Sequence, residues 1–121
     1  MALEHEIARL GQRMGIAGLA LSPDGMMALD VEGMGRVYFE RKAEELLVYL
    51  ARTAPSHDRG MPRRLLAACH YAKAHPVPLS GGMHKEQAIL LTRMPERNVT
   101  AASLENAVSY LTRQMDGVFQ Q

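Results

Sequence analysis

Gln87-Ala88-Ile89-Leu90-Leu91-Thr92-Arg93-Met94-Pro95 carries the clearest strand pattern of the chain. A turn near Lys85-Glu86 precedes it and Pro95 ends it. Beyond a short polar loop, Thr100 is a residue type whose hydroxyl caps a helix. Leu104, Val108, Leu111, Met115 and Phe119 then recur at the spacing of one apolar stripe, which predicts a long closing helix.

Upstream, Ser80-Gly81-Gly82 permits a bend or bulge. Pro76-Val77-Pro78-Leu79 is extended, because each proline pushes its predecessor out of helical space. Pro62 suits the first turn of a middle helix, with Leu65, Leu66, Cys69 and Lys73 following at about helical spacing. The stretch from Thr53 to Gly60 is loop. Leu46 to Leu50 are apolar throughout, which predicts a strand buried on both faces. Arg41 to Glu45 form a polar link, and Val37 and Phe39 alternate with Arg36, Tyr38 and Glu40 in another strand. Gly33 to Gly35 make a turn. Before it, Leu19 and Leu21 pair across Ser22-Pro23-Asp24-Gly25 with Met27, Leu29 and Val31 as a hairpin. The chain opens on Leu3, Ile7, Leu10 and Met14, a short amphipathic helix stopped by Gly15. The expected architecture is one α+β domain over residues 1–121. It has a mainly antiparallel twisted sheet of five to six strands and three helices, in the order α-β-β-β-β-α-β-β-α.

Composition narrows the function classes. A net charge of +1, with scattered arginines and no basic stripe, argues against a nucleic-acid partner. The longest apolar runs, Ala88–Leu91 and Leu46–Leu50, fall far short of the ~20 residues of a membrane span. Glu4 and Glu6 sit where a signal peptide would be basic. A lone cysteine, Cys69, suits a reducing cytoplasm. In a chain of 121 residues the buried fraction is modest, so a subunit interface is a natural source of further stability.

The residues do not assemble a reaction centre. Cys69, His70 and His75 match no usual zinc spacing, and His5, His57 and His84 fall on a helix surface or in loops. Cys69 fits the apolar stripe of its helix, and His70 points about 100° away from it, so no nucleophile–base pair forms. Gly33-x-Gly35 and Gly81-Gly82 lead into no helix and read as hairpin turns, not phosphate loops. Glu44-Glu45 reads as solvated link. No metal, no cofactor and no enzyme activity are expected. Nine methionines are the remaining oddity. Met14, Met27, Met94 and Met115 fit core stripes, whereas Met26, Met34, Met61 and Met83 fall at turns or strand edges. Methionine is flexible and polarizable, so it suits a surface that accepts several apolar ligands.

The order of motifs resembles the class I chaperones of bacterial type III secretion, the Tir-chaperone-like (CesT/SycE-like) family. The resemblance runs from the opening helix, Leu10-Gly11-Gln12-Arg13-Met14-Gly15-Ile16, through the hairpin from Leu19 to Asp30. It continues with Val37-Tyr38-Phe39, Leu46-Leu47-Val48-Tyr49-Leu50, the helix with Leu65-Leu66-Ala67-Ala68, and Ala88 to Pro95. Two features depart from it: the near-neutral charge, and Cys69-His70 where many members carry asparagine.

The resemblance implies a cytoplasmic bacterial homodimer that binds the N-terminal segment of a secreted effector and keeps it extended and secretion-competent, without ATPase activity. The implied effector-binding residues are Leu19, Leu21, Met26, Met27, Leu29, Val31, Met34, Val37 and Phe39, with Met26 and Met34 the expected exposed contacts. The implied dimer interface is Leu65, Leu66, Cys69, Val77 and Leu79, on the middle helix and the following strand. The alternative is a small α+β ligand-binding or regulatory domain, which a closed apolar pocket with convergent polar groups would favour.

Overall fold

The computed structural model describes residues 3–70 and 77–120; the expectations for Lys73, His75 and Pro76 lie outside them. Helix α1 (Leu3–Met14) buries Leu3, Ile7 and Leu10, the predicted stripe. It ends at Gly15, whose φ of +74° is a conformation that a side chain would strain. Inside the helix Gly11 has a different task. A Cβ there would stand 2.9 Å from the Cβ of Leu19 and 2.7 Å from the Ile16 carbonyl, so the returning chain packs directly on the helix backbone.

Strands β1 (Met26–Val31), β2 (Gly35–Lys42) and β3 (Glu45–Thr53) form a meander, and helix α2 (Met61–Ala68) follows. The hairpin of β4 (Ser80–His84) and β5 (Gln87–Pro95) leads to helix α3 (Ala101–Phe119). The sheet runs β1-β2-β3-β5-β4, with every neighbouring pair antiparallel. This is the expected α+β class with a five-stranded antiparallel sheet.

One element differs. Leu19–Leu21 is not a strand, so three strands and not four precede α2. Gly15 and Gly18, both with positive φ, fold this segment back onto α1, and Leu19 is buried there. Ser22 then meets the sheet, its N–H donating to the Met26 carbonyl at 2.8 Å.

The helices cover one face of the sheet. Val37 and Phe39 of β2, Leu46, Val48 and Leu50 of β3, and Ala88, Leu90 and Met94 of β5 point into the core. There they join Ile7 and Leu10 of α1, Met61 and Leu65 of α2, and Leu104, Leu111 and Met115 of α3. The cap predicted at Thr100 is a full capping box: its Oγ1 accepts from the Ser103 N–H at 2.9 Å and its own N–H donates to Ser103 Oγ at 2.8 Å. Glu6 of α1 accepts from the Ala101 N–H at 2.8 Å, tying the two helices together where a helix N-terminus favours a carboxylate.

The run Leu46 to Leu50 corrects the expectation of burial on both faces. Only alternate residues are buried; Leu47 and Tyr49 are half-buried on the face away from the helices.

Candidate functional site

Strand β1 is an edge, and the hydrogen bonds around it define what that edge offers. Gly25 presents its carbonyl to Arg41 of β2 and Val31 presents its own to Met34, so the backbone groups of Met27 and Leu29 also point inward to β2. Those of Met26, Ala28 and Asp30 point outward. At Met26 both outward groups are taken by Ser22: the carbonyl by its N–H, and the N–H by its Oγ at 3.2 Å. Among the described residues nothing takes those of Ala28 and Asp30. An incoming extended chain therefore finds two residues of β1 with an unblocked donor and acceptor each.

Alongside this edge lies an apolar strip. Met27, Leu29 and Val31 are on the helix-bearing face by their register with Phe39, Val37 and Gly35, and all three are half-buried. Leu21 and Met34 join them, partly buried against the core together with Met14 and Ile16. Each end of the strip opens into a hollow. One, of about 500 Å³, is lined by Leu21, Asp24, Glu4 and Arg41. The other, of about 590 Å³, is lined by Val31, Met34, Asp30 and Arg52.

Of the residues implied for effector binding, the structure brings Leu21, Met27, Leu29, Val31 and Met34 together. Leu19, Val37 and Phe39 are corrected: they are core, with Val37 and Phe39 at 2% and 1% exposure, and they shape the strip from below. Met26, 43% exposed, lies on the opposite face, since strand residues alternate.

The implied dimer patch divides similarly. Leu65 is fully buried, whereas Leu66, one residue on, is 67% exposed. Residues adjacent on a helix point about 100° apart, so they do not share a stripe. Cys69, Val77 and Leu79 are half-buried. The Cys69 thiol is pushed above its ordinary pKa by burial, which suits a packed side chain and not a nucleophile.

Two arginines that the sequence reading passed over hold the strip's surroundings. Arg52 takes an inward position on β3, in phase with Leu50. Its Nε donates to the Met34 carbonyl at 2.9 Å, its Nη1 pairs with Asp116 at 2.9 Å, and its guanidinium lies 5.1 Å from the Phe119 ring centroid. It fixes the β1–β2 turn to α3. Arg41 at the other end bonds Glu96 through Nε and Nη2 at 3.0 and 2.6 Å, and Glu4 through Nη1 at 3.2 Å. An arginine in phase with buried leucines was the legible signal for the first; nothing in the sequence pairs Arg41 with its partners.

Among the described residues, no cluster of three or more His, Cys, Asp or Glu is placed to hold a metal ion, and no helix is long and apolar enough to cross a membrane.

Residues 2–119 match the family model described as type III secretory system chaperone SycN. No curated protein matches in sequence. In structure the chain is similar to one from a HopA1–SchA chaperone–effector complex, with a TM-score of 0.71 at 12% identity over 97% of this chain and 92% of that one. It is also similar to one from the Yersinia pestis type III secretion chaperone SycH bound to a fragment of YscM2. There the TM-score is 0.70 at 12% identity, over 97% of each chain. YbjN, a putative transcription regulator from E. coli, shares the fold at a TM-score of 0.59 and 13% identity, over 98% of this chain and 89% of that one. At these identities the likeness is one of fold.

Proposed function

The chain belongs to the SycN family of type III secretory system chaperones, and on that premise we propose that it binds the N-terminal segment of a secreted effector along the β1 edge. The segment stays extended and ready for secretion. The observation that carries this reading is the open backbone of Ala28 and Asp30 beside the half-buried strip of Leu21, Met27, Leu29, Val31 and Met34. An extended client adds to such an edge through its backbone while alternate side chains enter the strip. Each apolar client side chain buried there contributes about 1.5–3 kcal/mol. Ordering a flexible client costs about 2–5 kcal/mol, so several must be engaged together. The action is binding alone, with no catalytic step and no ATP hydrolysis, and its place is the bacterial cytoplasm, before the client is exported. The chain's order of elements supports a CesT/SycE-like arrangement within the wider class.

The same reading includes a homodimer through α2 and the chain leading into β4. Leu66 is the largest exposed apolar side chain there, and Cys69, Val77 and Leu79 extend the patch. A C2 contact uses this patch twice. The fold shared with YbjN favours a regulatory domain as the second reading, and one experiment separates the two. Hydrogen exchange on the complex with the client that co-purifies from the native host should show protection over residues 26–34. Protection confined to α3, or no co-purifying secreted protein, would overturn the chaperone assignment.

A further inference from the structure

The face of the sheet away from the helices carries an apolar centre with charges placed around it. Register puts three rows across strands β2, β3 and β5 on that face: Glu40–Leu47–Arg93, then Tyr38–Tyr49–Leu91, then Arg36–Ala51–Ile89. Tyr38 and Tyr49 form an edge-to-face pair with centroids 6.4 Å apart, and the Tyr49 hydroxyl donates to Glu40 at 2.9 Å. Arg36 is held by Asp30 at 3.0 Å. Arg93 is exposed, and no ion pair holds it among the described residues.

We propose that this face binds the same face of a second copy of the chain. The argument is the symmetry of the charges. A two-fold axis lying between two such sheets and parallel to β3 exchanges the strands on either side of β3 and leaves the row unchanged. Glu40 of one copy then lies over Arg93 of the other, and the pairing occurs twice. Leu47 meets its own counterpart, Tyr49 meets Tyr49, and each Tyr38 covers a Leu91. Sheets packed face to face keep their strand directions within about 30° of each other, which this arrangement satisfies. Tyrosine and arginine around a leucine centre are the side chains enriched in protein interfaces. The face has few side chains, most of them half-buried, which suits the weak association typical of interfaces below ~1,200 Å². It is separate from the Leu66 patch on α2, so it joins dimers into larger assemblies at high concentration, or monomers into dimers where the α2 contact is removed.

The test uses sedimentation velocity over a wide concentration range on Leu66→Asp protein, which leaves this face intact and whose altered side chain is exposed. That background should still self-associate. Glu40→Arg and Arg93→Glu, each added to it, set like charges opposite one another and should weaken association about tenfold or more. An equimolar mixture of the two variants restores opposite charges at both contacts and should assemble, although neither variant does so alone. Circular dichroism checks that each remains folded. A Leu66→Asp protein that stays monomeric at the highest concentration overturns the proposal, as does a mixture that behaves like its components. Neither result bears on client binding at β1, which is read separately by co-purification.

Discussion

Ala28→Pro is the sharpest probe of the β1 edge. Within the sheet the Ala28 N–H has no partner, because the inward backbone groups belong to Met27 and Leu29. Proline is tolerated on an edge strand when its missing N–H would have faced solvent, and the preceding Met27 is already extended, as that position requires. The fold should survive. A client strand pairing with Ala28 and Asp30 makes up to two bonds at each residue, and a net value of about 0.5–1.5 kcal/mol applies to each bond. Proline deletes the donor, and its ring stands where the client carbonyl must come. Losing both bonds at Ala28 costs about 1–3 kcal/mol, a rise in Kd of about 5- to 150-fold. The control is Met27→Pro, one residue away, whose N–H faces β2; it should destabilise the chaperone itself. The assay is titration of the client that co-purifies with the unaltered chain, alongside urea unfolding of each variant. A folded Ala28→Pro protein that binds with unaltered affinity would refute edge addition and leave the apolar strip to act alone.

Leu66→Asp places a charge at the centre of the α2 patch and should shift the protein from dimer to monomer, read by sedimentation at low concentration where the outer sheet face contributes nothing. Cys69→Ala should keep client binding and lower stability by about 1 kcal/mol, since only a half-buried thiol is lost; intact fold with lost binding would contradict a packing role. Arg52→Leu removes the bond to the Met34 carbonyl and the contact with Phe119, whereas its ion pair to half-exposed Asp116 adds little. The loss should be about 2–3 kcal/mol in urea unfolding, with faster hydrogen exchange at the turn holding Met34. Asp58 is held below the ordinary carboxylate range by its hydrogen bond to Arg64. The stability it contributes is therefore complete above the unfolded value of about 3.9 and lost as pH falls through the lower folded value. Arg64→Met should flatten the acid limb of stability below about pH 4.

How much of this was legible in the sequence follows from what a periodic pattern encodes. Alternation identifies which strand residues share a face, so β1, β2 and β5 and the stripes of α1 and α3 could be read directly. It does not say which of two faces the helices will cover. Val37 and Phe39 share one strand's face and Met27 and Leu29 another's, yet the first pair lies at the sheet centre under the helices and the second at its edge. Leu19-Ala20-Leu21 has strand alternation, but two glycines in left-handed conformation turn it onto α1 instead. The all-apolar run Leu46 to Leu50 suggested two covered faces, and the second is covered only in part; Leu47 and Tyr49 are what remains. Leu65 and Leu66 look equivalent in the sequence, but the core takes Leu65 and leaves Leu66 exposed.

The edge itself argues for use and not accident. A strand with unpaired backbone groups invites uncontrolled pairing, and stable proteins blunt such edges with lysine, proline, bulges or a covering loop. Here the blunting is partial. Ser22 covers Met26, the one outward position nearest the preceding turn, and the chain then leaves the edge. From Met27 to Val31 there is neither lysine nor proline, and Asp30 is occupied with Arg36 on the opposite face of the sheet. Fold stability alone places no demand on an open edge, because neither Ala28 nor Asp30 gains a bond from it. The arrangement makes sense when a client supplies the missing strand. The apolar strip beside the edge then selects chains with alternating apolar residues over chance encounters, since backbone pairing by itself is indifferent to sequence.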